Sequence, residues 1–338
     1  MEIHYEKTVL ASLITAATFS GHALSMEMYN SEGTTASIGG HLTANVNWEE
    51  DGETAVGTNS PRINFNFTQD IGGGFTADAK GEWAVNFLDG NEETFTTRLG
   101  YVGVTHDSYG RLVAGTQWAP YYDVGGVADQ PIVYANDFLY ENHRSIGTGR
   151  ADKMLSYRNS FDLGGFVLGA GLGWQGDDGG DNGDRVQIAL TGTFGMFQVG
   201  YAFTTGEYKP VDDDAMSNIL SAKFGSYGDG LFLAGVYAMN EYVDNGFAPL
   251  TGGRLEESYA YELIAAYGLD FGTNLIVNYE TLEDDKSGNT KYSQVALQAE
   301  HSFTSKFVGF VAYEIDLGGD GVYGDGKDKW SIGARYYL

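Results

Sequence analysis

Residues 118–149 read WAPYYDVGGVADQPIVYANDFLYENHRSIGTG. No period of two runs through them, whereas almost everywhere else short alternating segments are separated by a few Gly, Asp or Asn residues. A long loop without regular structure inside a compact domain is uncommon and usually functional. Pro120, Pro131 and the glycine pair 125–126 argue against one long helix, and the many aromatic residues argue against a solvated linker. We therefore expect this segment to fold into the mouth of a wide β-barrel.

The rest of the chain has the sequence pattern of such a barrel. In SPRINFNFTQ (60–69), Ile63, Phe65 and Phe67 lie on one face of a strand and polar residues lie on the other. Residues 75–87 and 327–338 alternate in the same way. This period of two predicts β-strands with one apolar and one polar face.

We count sixteen alternating segments after residue 34. They are 35–48, 60–69, 74–87, 94–106, 110–118, 150–161, 164–175, 184–194, 196–206, 215–226, 230–242, 257–269, 271–282, 291–303, 306–317 and 327–338. Short turns alternate with longer, mostly acidic loops, of which residues 118–149 form the third. An even number of strands joined in this way predicts an all-β fold, a 16-stranded antiparallel transmembrane β-barrel with an inward-folded third loop. A barrel of this size has a water-filled interior.

Composition places the chain outside the usual soluble and helical membrane classes. Its 338 residues include 49 Gly and no Cys, with 14% aromatic residues, 19% charged residues and a net charge of −27. Soluble domains carry about 25% charged residues, and no apolar run approaches the roughly 18 residues of a membrane-spanning helix. The missing cysteines exclude disulfide and thiolate chemistry. The acidic balance argues against nucleic-acid binding.

The first 25 residues are typical of a secretory signal peptide. Lys7 precedes the apolar run VLASLITAATF (9–19), and Ala23 and Ser25 supply the small residues of a cleavage site. A short N-terminal helix is the alternative. We therefore divide the chain into a signal peptide, 1–25, and a barrel domain, 26–338.

Three motifs resemble the general Gram-negative porins, the trimeric matrix porins of enteric bacteria and their Vibrio relatives. They are MEMYNSEGT (26–34), TRLGYVG (97–103) and RADKMLSYRNS (150–160). The resemblance implies an outer-membrane barrel that assembles as a homotrimer among lipid and lipopolysaccharide and passes small hydrophilic solutes and ions. It implies no cofactor and no enzyme activity.

In that family, arginines on the barrel wall face acidic residues of the third loop across a constriction. The resemblance places Arg62, Arg98 and Arg150 on the wall and Asp129 on the loop. The alternation independently directs Arg62 and Arg98 inward, because an arginine facing lipid near the midplane would cost about 2–4 kcal/mol.

The chain departs from the family pattern in two places. The loop tip reads DQPIVYAND (129–137), so the second loop acid has no aligned counterpart, and Asp137 or Glu141 takes its place. Thr116 stands where enteric members carry another arginine.

Further candidates for the constriction come from charged residues on the same surfaces. Asp123 lies on the loop, and Lys80 and Glu82 lie on the polar face of the third strand. The loop acids Asp123, Asp137 and Glu141 have an alternative role as turn caps or as anchors that hold the loop to the wall.

The acidic runs 49–53, 177–184, 211–214 and 283–285 are interpreted as a solvated outer surface, with bridging divalent ions as the alternative. DDGGDNGD (177–184) lacks the spacing and the distal glutamate of an EF-hand. The histidines do not form a catalytic or metal-binding motif, so we expect neither a catalytic nor a metal site.

The sequence supports three functional hypotheses. The first is a channel for passive diffusion, cation-selective because of the acidic surplus. The second is a sugar-specific channel of the chitooligosaccharide type, in which Trp118, Tyr121 and Tyr134 form a stacking track. The third is a structural or adhesive barrel whose acidic loops are the working surface.

Cleavage after Ser25 gives a mature protein that begins at Met26. Intact-mass measurement on material from outer membranes should find residues 26–338. A mass that includes residues 1–25 would exclude the signal-peptide assignment.

Overall fold

The computed structural model describes residues 25–50, 52–90, 92–135, 137–246, 253–320 and 326–338. Apart from Ser25, the predicted signal peptide lies outside them. Within this part of the chain the strands are β1 Met26–Ser31, β2 Thr34–Glu49, β3 Ala55–Gly57, β4 Arg62–Gly72, β5 Phe75–Val85, β6 Phe95–His106, β7 Gly110–Trp118, β8 Arg150–Asp162, β9 Val167–Gln175, β10 Asn182–Phe194, β11 Phe197–Tyr208, β12 Asp213–Ser226, β13 Asp229–Glu241, β14 Glu257–Gly268, β15 Thr273–Asp284, β16 Thr290–Thr304, β17 Phe307–Asp316 and β18 Lys329–Tyr337.

Sixteen of these strands form a closed antiparallel ring, as predicted. From β4 onward each strand pairs with its successor. β18 then pairs with β2 from Lys329↔Glu49 to Tyr337↔His41 and closes the ring. All predicted segments lie within a few residues of an observed strand.

Two short strands were not predicted. β1 pairs with residues 34–38 of β2, on the edge that β18 occupies further along. β3 pairs with residues 45–47 of β2, on the opposite edge. At six and three residues, both are too short for a period of two to stand out from the neighbouring loops.

The outward faces carry the apolar side chains that the alternation predicts. Phe67, Val102 and Leu263 are 47%, 62% and 55% exposed in the isolated chain, as expected for a surface that faces hydrocarbon. None of the helices in the described residues is long and apolar enough to span a membrane.

Residues 119–149, here called the third loop, connect β7 to β8 and contain three short helical turns. These are α1 Tyr122–Gly125, a 3-10 turn Asp137–Tyr140 and α2 His143–Ile146. The loop packs inside the ring against a wall of buried apolar residues that includes Ala202, Ile219 and Val236. On this side the inner face carries apolar residues among its polar ones, because the loop covers the wall and shields it from water.

Two glycines allow close backbone contacts in the part of the wall that the third loop does not cover. Gly40 has φ +127° and Gly115 has φ +131°, both in a region that favours glycine. An added Cβ at Gly40 would collide with the carbonyl oxygen of Arg62, and one at Gly115 would collide with that of Gly100. These close backbone approaches lie beside the strands that carry the predicted wall arginines.

Candidate functional site

The third loop is fastened to the wall at its start by an ion pair. Arg158 of β8 donates from Nε to Asp123 Oδ2 at 2.6 Å and from Nη2 to Asp123 Oδ1 at 3.2 Å. The same Nη2 donates to the carbonyl oxygen of Trp118 at 2.9 Å. Asp123 therefore anchors the loop, which is the alternative role that the sequence left open.

The middle of the loop is held by polar side chains of β15 and β16. The Ile132 amide donates to Glu300 at 2.7 Å, and the Phe138 amide donates to Glu280 at 3.0 Å. Asn278 donates to the carbonyl oxygen of Tyr134 at 2.9 Å. These bonds satisfy loop backbone groups that are enclosed inside the ring.

The last part of the loop is anchored through Glu141. Its carboxylate pairs with the buried Lys291 and accepts a hydrogen bond from the Asn245 amide at 2.7 Å. Further on, Gln187 donates to the carbonyl oxygen of Gly147 at 2.8 Å. Glu141 is therefore a second anchor of the loop.

Asp129 lies in an aromatic setting on the loop. It accepts hydrogen bonds from the hydroxyls of Tyr122 and Tyr140. Tyr122 also stacks on Trp118, with the ring centroids 4.1 Å apart. The positive charges of Arg62 and Arg98 also act on the Asp129 carboxylate.

The wall opposite the loop carries a group of cations around one carboxylate. Arg98 Nε lies 3.0 Å from Glu82 Oε1, Lys80 Nζ lies 3.4 Å from Oε2, and Arg62 Nη1 lies 3.8 Å from Oε1. We call Arg62, Lys80 and Arg98 the basic wall. Glu82 is 3% exposed and lies between them, so it neutralises only part of their charge.

Arg150 is a further cation near the basic wall and is the first residue after the third loop. Its guanidinium lies 5.8 Å from the ring centroid of Trp118, and its Nη2 is 3.3 Å from Nε2 of His143. Arg98 acts on it electrostatically.

Asp137 is the loop acid with an exposed side chain. Lys329 and Asp129 act on its carboxylate. Of the two residues proposed for the second loop acid, the geometry therefore favours Asp137 over Glu141, which is bound to Lys291.

The sequence analysis did not identify the wall residues that bind the loop. Glu280, Lys291 and Glu300 lie on β15 and β16, more than 140 residues from the loop atoms they bind. Only their inward position could have been read from the alternation. The reading also passed over Arg335 on the inner face of β18.

The acidic runs lie at strand ends and in the connections that follow or precede them. In the loop between β9 and β10, Asp177 pairs with Lys209 at 2.8 Å, and Asp178 accepts hydrogen bonds from Gly180 and Asn182. Among the residues that the structure describes, no group of three or more His, Asp or Glu side chains is placed to hold a metal ion.

Known proteins resemble the chain over almost its whole length. Residues 10–338 match the model of a family described as Gram-negative porin. Outer membrane protein S2 of Salmonella typhi is 27% identical in an alignment that covers 92% of this chain and 93% of that protein. Porin-like protein L of Photobacterium profundum is 25% identical in an alignment that covers 98% of this chain and 99% of that protein.

Solved structures share the fold. Salmonella typhi OmpF in complex with daunomycin matches with a TM-score of 0.80 and 21% identity, over 93% of this chain and 100% of that one. The anion-selective porin from Comamonas acidovorans matches with a TM-score of 0.72 and 16% identity, over 90% and 100%. The trimer form of OmpT from Vibrio cholerae matches with a TM-score of 0.67 and 17% identity, over 91% and 100%.

Replacing Asp123 with Asn should loosen the start of the third loop. The change removes a charge-assisted pair worth about 1–3 kcal/mol, so single-channel recordings should show larger open-channel current fluctuations. Asp78→Asn is the matched control, because Asp78 pairs with Arg111 at 2.6 Å between two wall strands. Equal fluctuations in both variants would show that the Asp123–Arg158 pair does not fasten the loop.

Proposed function

The chain belongs to the family of Gram-negative porins, and we propose that it is a general diffusion channel whose selectivity is set at the third loop. As a member of this family it is an outer-membrane β-barrel that passes small solutes, and it is not an enzyme. The proposal that selectivity is set at the third loop is supported by how the lumen is occupied. The third loop fills one side, and the basic wall lines the other.

Two zones of charge act in opposite directions on a permeating ion. The long loops at the outer rim are acidic, and the whole chain carries a net charge of −27, so the rim attracts cations. At the constriction, Arg62, Lys80, Arg98 and Arg150 face Asp129 and Glu82, so this zone is locally positive. We infer a modest preference for cations at low salt, produced by the rim and opposed by the constriction.

A sugar-specific channel is less well supported than general diffusion. Tyr121 is 1% exposed and its hydroxyl lies 2.7 Å from Ser217 Oγ, so it cannot stack on a passing solute. Trp118 stacks on Tyr122 within the loop. Tyr121 therefore offers no open aromatic surface for a sugar, and Tyr122 covers part of Trp118.

We also propose a homotrimer embedded among lipid and lipopolysaccharide. One solved structure of the same fold is the trimer form of OmpT from Vibrio cholerae. The outward faces of this barrel are apolar around the ring, so they can contact either lipid or a neighbouring subunit.

The preference for K⁺ over Cl⁻ should fall as salt rises, because screening reduces the field of the exposed rim more than short-range interactions in the constriction. Asp129→Asn should lower the permeability ratio, and Arg98→Ser should raise it. Each change should be a factor of about 2–5, the scale of one unit charge acting across several ångströms of water. Reversal potentials under a KCl gradient measure these ratios.

The matched control for these variants is Lys286→Gln. Lys286 pairs with Glu257 at 2.6 Å in an outer loop, so the change alters the rim and not the constriction. Anion preference in the wild-type protein at low salt would contradict the proposed role of the rim. An unchanged ratio in both constriction variants would show that the constriction lies elsewhere.

The purified protein should migrate in detergent as a compact oligomer when unheated and as a monomer after boiling. The sheet closes on itself and is hydrogen-bonded throughout, so far-UV circular dichroism should be β-dominated before heating. A monomer of unchanged β content without heating would contradict the trimer while leaving the channel proposal intact.

A further inference from the structure

Arg335 is a cation of the lumen that lies on the strand closing the barrel. In β18, Ile332 and Tyr336 are 51% and 50% exposed and point outward. Arg335 is on the opposite face, because its Nε donates to Thr43 Oγ1 at 2.9 Å and Thr43 is fully buried inside the ring.

The strand register brings Arg335 to the basic wall. Arg335 pairs with Thr43 across β18 and β2, and His41, two residues earlier in β2, pairs with Arg62 of β4. The charges of Arg335, Arg62 and Arg98 all act on the buried His41. Arg335 also acts on Arg62. The three guanidinium groups therefore form one continuous positive surface across β18, β2, β4, β5 and β6.

This surface has too few carboxylates to balance it. Glu82 is shared by Arg62, Lys80 and Arg98. Within the described part of the chain, Arg335 has no carboxylate within ion-pair distance, and the acid that acts on it at longer range is Glu300, which accepts the hydrogen bond of the Ile132 amide. The remaining contacts of Arg335 are two bonds of 3.4 Å from Nη2 to Asn59, to its carbonyl and side-chain oxygens.

We propose that Arg335, together with Arg62, is a specificity-determining element that binds small organic anions bearing a carboxylate or phosphate group on their way through the channel. The inference rests on the proposed channel function and adds a solute class to it. A guanidinium group is always charged at neutral pH, and its positive charge and N–H donors attract carboxylate and phosphate oxygens. The 3.4 Å contacts to Asn59 are long for hydrogen bonds, so an entering anion can replace them.

The alternative is a purely structural Arg335 that braces the Asn59 segment against β2. Charge separates the two roles. Bracing requires the geometry of the guanidinium fork, whereas anion passage requires a positive charge on the lumen side of β18. The chain has no cysteine, so a single introduced thiol allows the charge at this position to be set after the barrel has assembled.

The experiment uses Arg335→Cys in proteoliposomes, with fluxes of labelled gluconate and labelled glucose measured at zero membrane potential. Gluconate and glucose are of similar size and differ in charge. We expect the gluconate-to-glucose flux ratio to fall about three- to fivefold in the unmodified variant, the scale of one unit charge acting across several ångströms of water. A methanethiosulfonate reagent with an ammonium group should restore the ratio, and one with a sulfonate group should lower it further.

Lys286→Cys is the matched control, because the same reagents then change charge in an outer loop. Its flux ratio should respond much less than that of Arg335→Cys. Arg335→Lys supplies a second variant in case the cysteine protein does not assemble, and it should keep the wild-type ratio.

Two results would overturn the inference. A conducting Arg335→Cys channel whose ratio is unchanged and insensitive to both reagents would remove Arg335 from anion passage while leaving the channel function intact. A ratio lost equally in Arg335→Lys and Arg335→Cys, and not restored by the ammonium reagent, would assign Arg335 a bracing role. Absence of both fluxes in the wild-type protein would instead contradict the proposed channel function itself.

Discussion

The whole structure depends on the pairing of β18 with β2. Inside a bilayer no water is available to backbone N–H and C=O groups, so an open sheet edge is not tolerated and the sheet must close. Here the closure runs from Lys329↔Glu49 to Tyr337↔His41. β1 continues the same edge of β2 beyond the end of β18, so that edge is covered along nearly its full length. The ring then fixes which residues share the lumen, including the cations of β18, β4 and β6.

Closing sixteen strands creates an interior that wall side chains cannot fill. The third loop solves this on one side only, and the inner wall is divided accordingly. Beneath the loop some inward positions are apolar, as at Ile219 and Val236, and they form a core with Tyr121 and Phe138. Others are polar and bind the loop, as at Glu280 and Glu300. On the uncovered side the inward positions are polar or charged. The covered part of the inner wall is therefore packed like a protein core, and the uncovered part faces water.

The strands could be predicted from the sequence because alternation is a local property of each segment. The inward orientation of Arg62 and Arg98 followed from the same local pattern. The contacts of the loop acids could not be predicted, because Glu141 binds Lys291, which is 150 residues away in the chain. Asp123 and Glu141 were therefore candidates for the constriction until the fold showed their partners. Arg335 was visible on the polar face of its strand, but only the closure places it beside Arg62.

The anchoring of the loop also explains why net charge is a poor guide to the constriction. The chain is strongly acidic, yet Asp123, Glu141, Glu280 and Glu300 are all engaged in fastening the loop, as partners of Arg158, Lys291 and two backbone amides. Their charges are tied to cations or to backbone dipoles on the loop side. Within the described residues, the cations of the basic wall have Glu82 as their one carboxylate at ion-pair distance. We infer that an acidic protein can present a positive surface at the proposed constriction because holding a loop inside a wide barrel takes up carboxylates that would otherwise neutralise it.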